Sequence, residues 1–571
     1  MKPTPPLFIV ATLCLLAGLC LSGCANLTQP TTGQLALNRI FPTDQQPSVS
    51  FTDSIIASPL LYKGHDQTVI IAAVANGIIA ALNAETGALA WQIQAPAPAG
   101  ELANLVATPV IIGDKLVFIY QCWDKGKRTS HRMAVLDLVQ HRLDPDFPVL
   151  VMAAEQATAD GLKTVKFNPP TAFSHSALKW TPSADASLGY VYAAFGNSGD
   201  EQPYHGWLFE IDLAAWQHGK TAIHKVLLTT PETDCPVTLE YGNQEMICGG
   251  GIWTPQGPQI FPNKSSYELI VPTGNGQLDL DRHDYANALL RVQPGLQFDA
   301  GCDAGLCRHF DPINPSLACI ESCKNLFIPR LPPGSPALKP ASGECDHKSF
   351  NECVAWLDYD LGAGAPIKVA LANGKEVLVQ PSKDGGVYLI DAEHLGTQYD
   401  RLQIVELCGS KTDECKFAWM GMIVTQAVQA LVDDTPVVVI PTFVADNTHP
   451  AGLVALKIVQ EQGQPRFKRF WQFPEPTSPA ALQSFRSHPS LPVLSSLGGD
   501  AVVWVVDIGT HGTVYGIRIR DGALVAKHAL KGAGRQLAQP LLDNNRLYVP
   551  SIMPGTNKTM IEAYGISPAN P

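Results

Sequence analysis

The chain has 571 residues, of which 46% are hydrophobic and 16% are charged, and its formal net charge is −12 at pH 7. This composition is typical of globular proteins, and the length allows two or three domains or one large β or α/β unit. The 40 Lys and Arg residues are scattered and are outnumbered by 52 acidic residues, which argues against nucleic-acid binding.

Residues 1–23 have the features of a targeting signal. Lys2 gives a minimal positive start, and the apolar run Leu7–Leu21 is too short and too early for an ordinary membrane-spanning helix. The run ends in Leu21-Ser22-Gly23-Cys24, which resembles the bacterial lipobox. The resemblance implies cleavage before Cys24 and acylation of this cysteine, which would attach the protein to a membrane. The alternative is an ordinary secreted protein with a chance cysteine.

The residues after the anchor indicate a tether and a location. Ala25 follows Cys24 in place of the Asp that retains lipoproteins at the inner membrane of familiar bacteria. We therefore expect an outer-membrane lipoprotein of the cell envelope that faces the periplasm or the cell surface. Residues 24–47, which are rich in Thr, Gln, Pro and Asn after the cysteine, predict a flexible tether, and residues 48–571 predict the folded body.

The body contains eight copies of one pattern: a Pro-containing entry, a β-rich strand, a glycine or polar turn, and a second strand with an ending similar to Leu-Asp. The copies are residues 58–92, 108–138, 188–213, 268–292, 364–396, 435–459, 487–519 and 536–566. Eight units of short strands with almost no helical periodicity predict an all-β, eight-bladed β-propeller. The alternative, two β-sandwiches, does not explain the recurring pattern.

The fourth copy belongs to a longer stretch, Gly249–Arg291, that combines candidate ligands. A glycine run leads to Trp253, and the predicted strands Leu269–Pro272 and Ala286–Val292 flank the turn Thr273–Gly276 and an acidic loop. The loop offers the amide of Asn275 and the carboxylates of Asp279, Asp281 and Asp284, which are oxygen donors of the kind that Ca²⁺ prefers. The alternative is a solvated, acid-rich hairpin tip.

Eleven cysteines follow Cys24, and ten of them form close groups: Cys235 with Cys248; Cys302, Cys307, Cys319 and Cys323; Cys345 with Cys353; Cys408 with Cys415. In an oxidising compartment such groups predict disulfides, although the quartet also allows a zinc site, and its connectivity stays open. Cys122 has no near partner and is expected to be a free buried thiol. The cysteine- and proline-rich residues 298–355 predict an insertion that is cross-linked by disulfides.

Two kinds of motif now indicate a family. Residues 76–87 with Trp91 resemble the blade signature of propellers similar to those that bind pyrroloquinoline quinone (PQQ). Three longer motifs, residues 195–213, 249–291 and 356–391, are similar to quinoprotein alcohol dehydrogenases and their polyvinyl-alcohol-dehydrogenase-like relatives. The similarity covers nearly all of residues 50–566.

The resemblance implies a set of site residues. In the enzymes, PQQ lies on a tryptophan floor and chelates a Ca²⁺ ion held by Glu and Asn side chains. Motif by motif, Trp253 matches the floor, Glu201 (or Asp200) the carboxylate ligand and Asn275 the amide ligand. Asp284 matches the catalytic base, which also lies next to the metal, and Lys383 matches the residue that contacts the quinone oxygens. Each of these residues also has a purely structural interpretation, such as blade packing, a turn or a solvated loop.

The sequence also departs from the enzymes. They cap PQQ with two adjacent cysteines, whereas the comparable blade here has Cys122-Trp123. His205 stands where the enzyme motif has an Arg, and no CxxCH motif for covalent haem occurs.

Three functions are therefore compatible with the sequence. We favour a lipid-anchored propeller that binds or assembles protein partners in the envelope and retains part of a quinone site. The alternative is a PQQ- and Ca²⁺-dependent dehydrogenase of an alcohol or sugar, and a third is a carbohydrate- or polymer-binding surface protein. Convergence of the five matched residues in one open channel would favour the enzyme, and a channel filled by the insertion or by bulky side chains would favour the scaffold.

Overall fold

The structure is a computed structural model. It describes residues 34–158, 161–183, 188–197, 204–232, 249–262, 266–311, 314–335, 346–405, 425–442, 451–475, 485, 489–497, 499–508, 512–534 and 538–569. Along these residues, eight antiparallel sheets of four or more strands follow one another, which confirms the eight-bladed β-propeller. We number the sheets as blades 1 to 8 in chain order.

The first four blades contain the first four predicted repeats. Blade 1 contains Leu60–Lys63, Thr68–Ala73, Ile78–Asn83 and Leu89–Gln94. Blade 2 contains Leu102–Asn104, Val110–Ile112, Lys115–Asp124, Lys127–Asp137, Arg142–Leu143 and Leu150–Val151. Blade 3 contains Lys179–Thr181, Tyr190–Phe195, Trp207–Asp212 and Ile223–Leu228. Blade 4 contains Gln259–Pro262, Tyr267–Pro272, Leu289–Val292 and Leu326–Phe327.

The other four blades contain the remaining repeats. Blade 5 contains Ile367–Ala370, Glu376–Pro381, Gly386–Asp391 and Gln398–Gln403. Blade 6 contains Val428–Val432, Thr435–Thr442, Gly452–Glu461 and Gln464–Phe473. Blade 7 contains Val493–Leu497, Asp500–Asp507, Thr513–Arg518 and Leu524–Ala529. Blade 8 contains Ala533–Gly534, Leu541–Asp543, Arg546–Ile552, Thr559–Pro568 and the N-terminal strand Leu35–Phe41.

Blade 8 closes the ring. Its outer strand, Leu35–Phe41, comes from the start of the described chain and pairs antiparallel with Thr559–Pro568 at the other end, with Leu35 opposite Pro568. Joining the two ends of the chain in one sheet removes the open edge that a linear row of blades would leave. The propeller is therefore closed by backbone hydrogen bonds, and the predicted boundary of the tether at residue 47 is wrong for Leu35–Phe41, which belong to the folded body.

Few other elements interrupt the blades. The described helices are the α-helices Leu213–Gln217, Leu317–Ser322 and Phe350–Trp356 and the 3₁₀ turns Leu280–Arg282 and Leu361–Ala363. Two small ribbons pair Glu155–Ala157 with Thr164–Lys166 and Leu278–Asp279 with Asp284–Tyr285. None of the helices in the described part of the chain is long and apolar enough to cross a membrane.

The core lies between the facing surfaces of neighbouring blades. Val377 and Val379 of blade 5, for example, pack in one buried cluster with Val438 and Ile440 of blade 6. These strands carry β-branched residues at alternate positions, and a side-chain period of two places such residues on one face of a sheet. Each blade therefore buries both faces.

The described residues of the insertion up to Phe327 pack on blade 4, whereas Cys353 and Val354 near its end pack with blades 5 and 6. Cys302 is bonded to Cys323 and Cys307 to Cys319, so the quartet forms disulfides rather than a zinc site. Cys319 and Cys323 join the buried cluster of blade 4, and Leu326–Phe327 within the insertion provide the outer strand of this blade. Cys122 is a free, buried thiol as predicted. Cys353 is disulfide-bonded, and the predicted groups at Cys235, Cys248, Cys345, Cys408 and Cys415 lie outside the described residues.

Candidate functional site

Three glycine-containing segments from the loops of blades 3 and 4 lie side by side. The backbone N–H of Gly206 donates to the carbonyl of Gly249 at 3.0 Å. Gly250 N–H donates to the Asn275 carbonyl at 2.8 Å, and Gly274 N–H donates to the Gly251 carbonyl, also at 2.8 Å. These bonds bring the predicted Thr273–Gly276 turn against the glycine run that leads to Trp253.

The glycine run permits this close approach. Gly249 has a φ of +64°, and a Cβ atom at this position would lie 2.1 Å from the Asn275 carbonyl oxygen. A Cβ atom at Gly206 would lie 1.9 Å from the Gly250 carbonyl oxygen. A side chain at either position would collide with backbone atoms, and only glycine adopts positive φ without steric cost.

A segment that follows the insertion completes this group. The Leu361–Ala363 turn packs on the Thr273–Gly276 turn, since a Cβ atom at Gly362 would lie 2.6 Å from the Gly274 nitrogen. The N–H of Leu361 donates to Asn287 Oδ1 at 2.8 Å. Asn287 has a φ of +49°, which explains why the predicted strand Ala286–Val292 begins only at Leu289.

Trp253, Asp358, Asp360 and Lys383 meet at this point. The Trp253 indole N–H donates to Asp360 Oδ1 at 3.2 Å, and Lys383 Nζ lies 5.5 Å from the centroid of the indole. Lys383 Nζ also donates to Asp358 Oδ2 at 2.6 Å. Lys383 and Asp360 are buried, whereas Trp253 is only half-buried. The site is therefore an indole surface bordered by one cation and two carboxylates.

His175 lies beside the indole, and Ser174 precedes it in the chain. The imidazole of His175 is stacked at 17° to Trp253 with ring centroids 6.0 Å apart, and it also stacks with Phe173, with ring centroids 5.4 Å apart. Burial lowers the pKa of His175 to about 4, so the ring is neutral at pH 7. His175 Nδ1 and Ser174 Oγ are buried and have no hydrogen-bond partner among the described residues. Such orphaned atoms are uncommon in folded proteins and suit a site that receives a polar ligand.

The turn that carries Lys383 is held by a buried ion pair. Asp384 Oδ2 accepts from Arg401 Nη2 at 2.7 Å and from the Tyr388 hydroxyl at 2.9 Å, while Asp384 Oδ1 accepts from Gly386 N–H at 2.8 Å. The Arg401 guanidinium also lies 5.6 Å from the ring of Phe350 in the helix that precedes Asp358. Arg401 thus links the turn that carries Lys383 to the helix that precedes Asp358.

The residues predicted from the motifs lie at different places in the structure. Trp253 and Lys383 converge, and Asn275 lies beside Gly274, where a Cβ atom would be 3.2 Å from Trp253 Nε1. Asp284 is fully buried and accepts the N–H of Glu232 at 3.0 Å, which places it next to the Thr229–Glu232 segment. Glu201 and Asp200 lie outside the described residues.

His205 lies beside a small cavity. Its Nδ1 atom is 3.0 Å from the Thr230 hydroxyl, and burial lowers its pKa to about 4. The cavity has a volume of about 270 Å³ and is also lined by Lys163, Tyr204 and Glu232. A neutral histidine here cannot provide the permanent charge of the Arg in the enzyme motif.

Asp358 and Asp360 were missed by the residue-by-residue matching. Both stand in Trp356-Leu357-Asp358-Tyr359-Asp360, the start of a motif that was itself recognised. Two carboxylates separated by one residue, immediately before a glycine-containing turn, are a signal that would have identified them.

The Cys122-Trp123 position carries an arginine stack. The Arg128 guanidinium lies 4.8 Å from the Trp123 ring centroid and 5.2 Å from that of Phe173. Arg128 Nε donates to Gln121 Oε1 at 2.8 Å, and Arg128 Nη1 donates to the carbonyl of Pro170 at 2.9 Å. Because Cys122 is a free thiol in this structure, a cysteine-pair cap of the enzyme kind is not formed here.

No preformed carboxylate cluster for a metal stands out among the described residues. There, the group of three or more His, Cys, Asp or Glu side chains with metal-ligand spacing is Cys302, Cys307 and Cys323, and these sulfurs are in disulfides. Of the calcium ligands that the sequence motifs predict, Asn275 and Asp284 lie within this part of the chain and Glu201 lies outside it.

Comparisons with known proteins support the fold. No protein-family model matches the chain, and no curated protein matches it. Among solved structures, it is similar to the quinohemoprotein alcohol dehydrogenase ADHIIG from Pseudomonas putida HK5, with 12% identity, a TM-score of 0.52, and coverage of 94% of this chain and 77% of that chain. It is also similar to a europium-containing methanol dehydrogenase, with 13% identity, a TM-score of 0.50 and coverage of 91% and 85%. BamB from Moraxella catarrhalis has 12% identity, a TM-score of 0.44 and coverage of 93% and 100%. The chain has the eight-bladed β-propeller fold of the PQQ-like propellers.

Proposed function

We propose that the loops of blades 3, 4 and 5 bind PQQ together with Ca²⁺ on Trp253, and that the protein is a quinone-binding propeller of the cell envelope with alcohol or sugar dehydrogenase activity. The observation that carries the proposal is the convergence of Trp253, Lys383 and Asp358, which come from three different loops. Fold similarity alone does not establish this activity, and the proposal rests on the site.

The described residues fit the quinone. A half-buried indole surrounded by buried polar side chains provides a flat apolar surface for a planar ring. His175 Nδ1 and Ser174 Oγ, which find no partner in the part of the chain that the structure describes, provide hydrogen-bonding capacity for a ligand. Lys383 supplies the positive charge that the carboxylates of PQQ and its reduced oxygens would attract.

Each residue has a role in the proposed reaction. PQQ, when bound, supplies the oxidising chemistry. Trp253 would orient its ring, and Lys383 would stabilise negative charge on its oxygens. Asn275, together with Glu201 and Asp284 as the sequence motifs predict, would hold Ca²⁺ through oxygen atoms. A carboxylate near Lys383 would take the hydroxyl proton of the alcohol.

Asp358 is the base that the geometry favours. Its Oδ2 atom is 2.6 Å from Lys383 Nζ, and its side chain keeps 17% exposure, so it can reach both the cation and an entering substrate. Asp284, the base predicted from the motif match, is fully buried at the Glu232 N–H. We therefore propose Asp358 as the proton acceptor and retain Asp284 as a calcium ligand to be tested.

The arginine stack at Trp123 favours a second candidate, a non-catalytic binding or assembly propeller. The Arg128 guanidinium lies over the rings of Trp123 and Phe173 and donates hydrogen bonds to Gln121 Oε1 and to the Pro170 carbonyl, which fix its position. A fixed arginine at this place strengthens the binding of anions without supplying the redox-active cysteine pair of the enzymes. In this case the site would bind a ligand that is not turned over, and the blade surfaces would contact protein partners.

Calorimetric titration of PQQ into the calcium-loaded full chain in detergent tests the proposal. We expect calcium-dependent binding that is weakened more than about tenfold by Lys383→Ala and by the double variant Asn275→Ala, Asp284→Ala, because the first removes the positive charge beside Trp253 and the second removes two proposed calcium ligands. Lys375→Ala is the matched control, since Lys375 is an exposed lysine 5.5 Å from the ring centroid of Tyr399, and it should leave binding unchanged.

The same experiment separates the two candidates. If PQQ binds, a dye-linked assay with alcohols and sugars should show turnover that Asp358→Asn lowers about 10²- to 10⁴-fold, the usual effect of removing a general base. Binding without turnover would favour the second candidate. If the folded protein does not bind PQQ, the quinone proposal fails, and the next experiment is a search for protein partners.

We also propose that acyl chains on Cys24 anchor the protein to the outer membrane. When the full chain is produced in a bacterial host, we expect it to enter the detergent phase on Triton partitioning and to carry an acylated N-terminal cysteine by mass spectrometry, because two or more chains anchor stably. Cys24→Ser should stay in the aqueous phase, whereas Cys20→Ser, a cysteine within the signal, should behave as the wild type. Equal partitioning of both variants would contradict the anchor.

A further inference from the structure

A second site lies on the outside of blade 3, on its outer strand Ile223–Leu228. A groove of about 620 Å³ follows this strand. One wall of the groove is formed by Ala153–Gln156, and the opposite wall is formed by His283, Tyr285, Leu296 and Phe298. The groove does not include the residues around Trp253, so it is separate from the candidate quinone site.

The floor of the groove is the edge of a sheet. All six residues of the strand line the groove, and side chains of a strand alternate between its faces, so the groove runs along the edge rather than over one face. On its inner side the strand pairs antiparallel with Trp207–Asp212. In the part of the chain that the structure describes, no backbone hydrogen bond joins its outer side to another segment. Outward N–H and C=O groups of such an edge are a template for another strand.

The walls make this edge a defined site. The ring of Tyr285 packs edge-on against Phe298 with centroids 4.8 Å apart, and Leu296 is buried next to them. This wall offers an apolar contact for side chains on one face of an added strand. The opposite wall presents the amide of Gln156 and the carboxylate of Glu155.

The positive charge of Lys225 on the floor of the groove favours a bound strand with an acidic side chain. Lys225 is exposed, and the contacts beside it, the His224–Glu210 hydrogen bond at 2.9 Å and the Lys166–Glu155 ion pair at 3.6 Å, do not include it. An exposed lysine on an edge strand discourages random pairing, and pairing with a second copy of the same strand would bring two basic strands together. A strand with an acidic side chain opposite Lys225 gains an attraction instead.

A bulge limits the usable length. The pairing register shifts between Glu210 and Ile211, so that His224 is the extra residue, and its ring is held by Glu210 and by Tyr190 at 5.6 Å. Regular pairing extends from Lys225 to Leu228. At about 3.4 Å per residue, this stretch accommodates the central part of a short extended peptide.

We propose that the outer edge of blade 3 binds an extended acidic polypeptide segment of a partner protein as a fifth strand. Backbone hydrogen bonds to Lys225–Leu228 supply affinity, as in other β-strand additions, and the alternate side chains supply specificity. One face of the segment contacts Tyr285, Leu296 and Phe298, and an Asp or Glu of the segment pairs with Lys225.

A phage-displayed library of random eight-residue peptides, selected on the detergent-solubilised full chain, tests this proposal. We expect enriched peptides with alternating apolar residues and at least one Asp or Glu. Synthetic copies should protect the amides of Ile223–Leu228 from hydrogen exchange. Lys225→Glu should weaken these peptides about tenfold, because it replaces a cross-strand attraction by repulsion, and selection on this variant should yield basic peptides.

The control is an exposed lysine on the outer strand of another blade. Lys527 is exposed on the outer strand Leu524–Ala529 of blade 7, and Lys527→Glu should leave the selected peptides and their affinity unchanged. The proposal is overturned if no peptide is enriched, or if the peptides bind both lysine variants equally and leave Ile223–Leu228 unprotected. It is also overturned if oligosaccharides of a glycan array bind the groove and Tyr285→Ala, but not Lys225→Glu, abolishes that binding.

Discussion

Replacing Asp384 by Asn is expected to lower the free energy of unfolding by about 3–5 kcal/mol, because it leaves the Arg401 guanidinium buried without a carboxylate. The two side chains are 2.7 Å apart and are 3% and 1% exposed for Arg401 and Asp384, respectively. Water cannot replace the lost partner at such burial. Removing one member of a buried pair therefore costs far more than the pair contributes in net terms.

Asn is the informative substitution because it keeps the shape of the side chain. Its amide oxygen can still accept the Gly386 N–H that Asp384 Oδ1 accepts at 2.8 Å, so the turn keeps one of its bonds. The loss then reports the missing charge. Because Asp384 follows Lys383 directly, we also expect weaker PQQ binding, which calorimetry on the same variant measures.

Guanidinium unfolding monitored by tryptophan fluorescence measures the effect on stability. The matched control is Asp521→Asn, which breaks the Arg518–Asp521 pair at 2.6 Å, where the aspartate is 44% exposed. Exposed pairs contribute about 0–1 kcal/mol, so this variant should unfold almost as the wild type. A similar decrease in unfolding free energy for both variants would contradict the claim that burial makes the Arg401–Asp384 pair more costly to break.

The fold was predictable because each blade is encoded by the same local sequence pattern. Each blade needs alternating apolar strands and a turn, and eight such units lie in order along the chain, so local periodicity was sufficient. The outer strand of blade 4, Leu326–Phe327, was not predicted, because two residues inside a cysteine-rich insertion carry no period. The start of the preceding strand, Leu289–Val292, depended on the backbone conformation of Asn287, which composition does not reveal.

Part of the candidate site was predictable because its residues stand at distinctive positions of two motifs. Trp253 and Asn275 lie in the motif of residues 249–291 and Lys383 lies in that of residues 356–391, and the structure brings Trp253 and Lys383 together with the turn of Asn275. Asp358 and Asp360 gain their meaning from contacts with residues 25 and 107 positions away, as in the Asp358–Lys383 and Asp360–Trp253 bonds. Several acids competed for one role in the sequence, and only tertiary contacts distinguish among them.

Gly249→Ala is expected to damage both the stability and the ligand site. An L-residue at a φ of +64° loses about 1–2 kcal/mol, and the added Cβ atom, 2.1 Å from the Asn275 carbonyl oxygen, must displace a backbone turn at a further cost of about 1–3 kcal/mol. The displaced turn carries Asn275 and touches Trp253 through Gly274. We therefore expect a total loss of about 2–5 kcal/mol in unfolding free energy, together with loss of PQQ binding.

Gly126→Ala separates the two contributions. Gly126 has a φ of +80°, and a Cβ atom there meets nothing within 4 Å, so the variant has the backbone strain without the collision. Its unfolding free energy should fall only by about 1–2 kcal/mol, and it should bind PQQ as the wild type does. If Gly249→Ala loses no more stability than this control and still binds, then the close packing of the glycine run against Asn275 does not shape the site. If it loses both, the glycines are what allows the three loops to meet at Trp253.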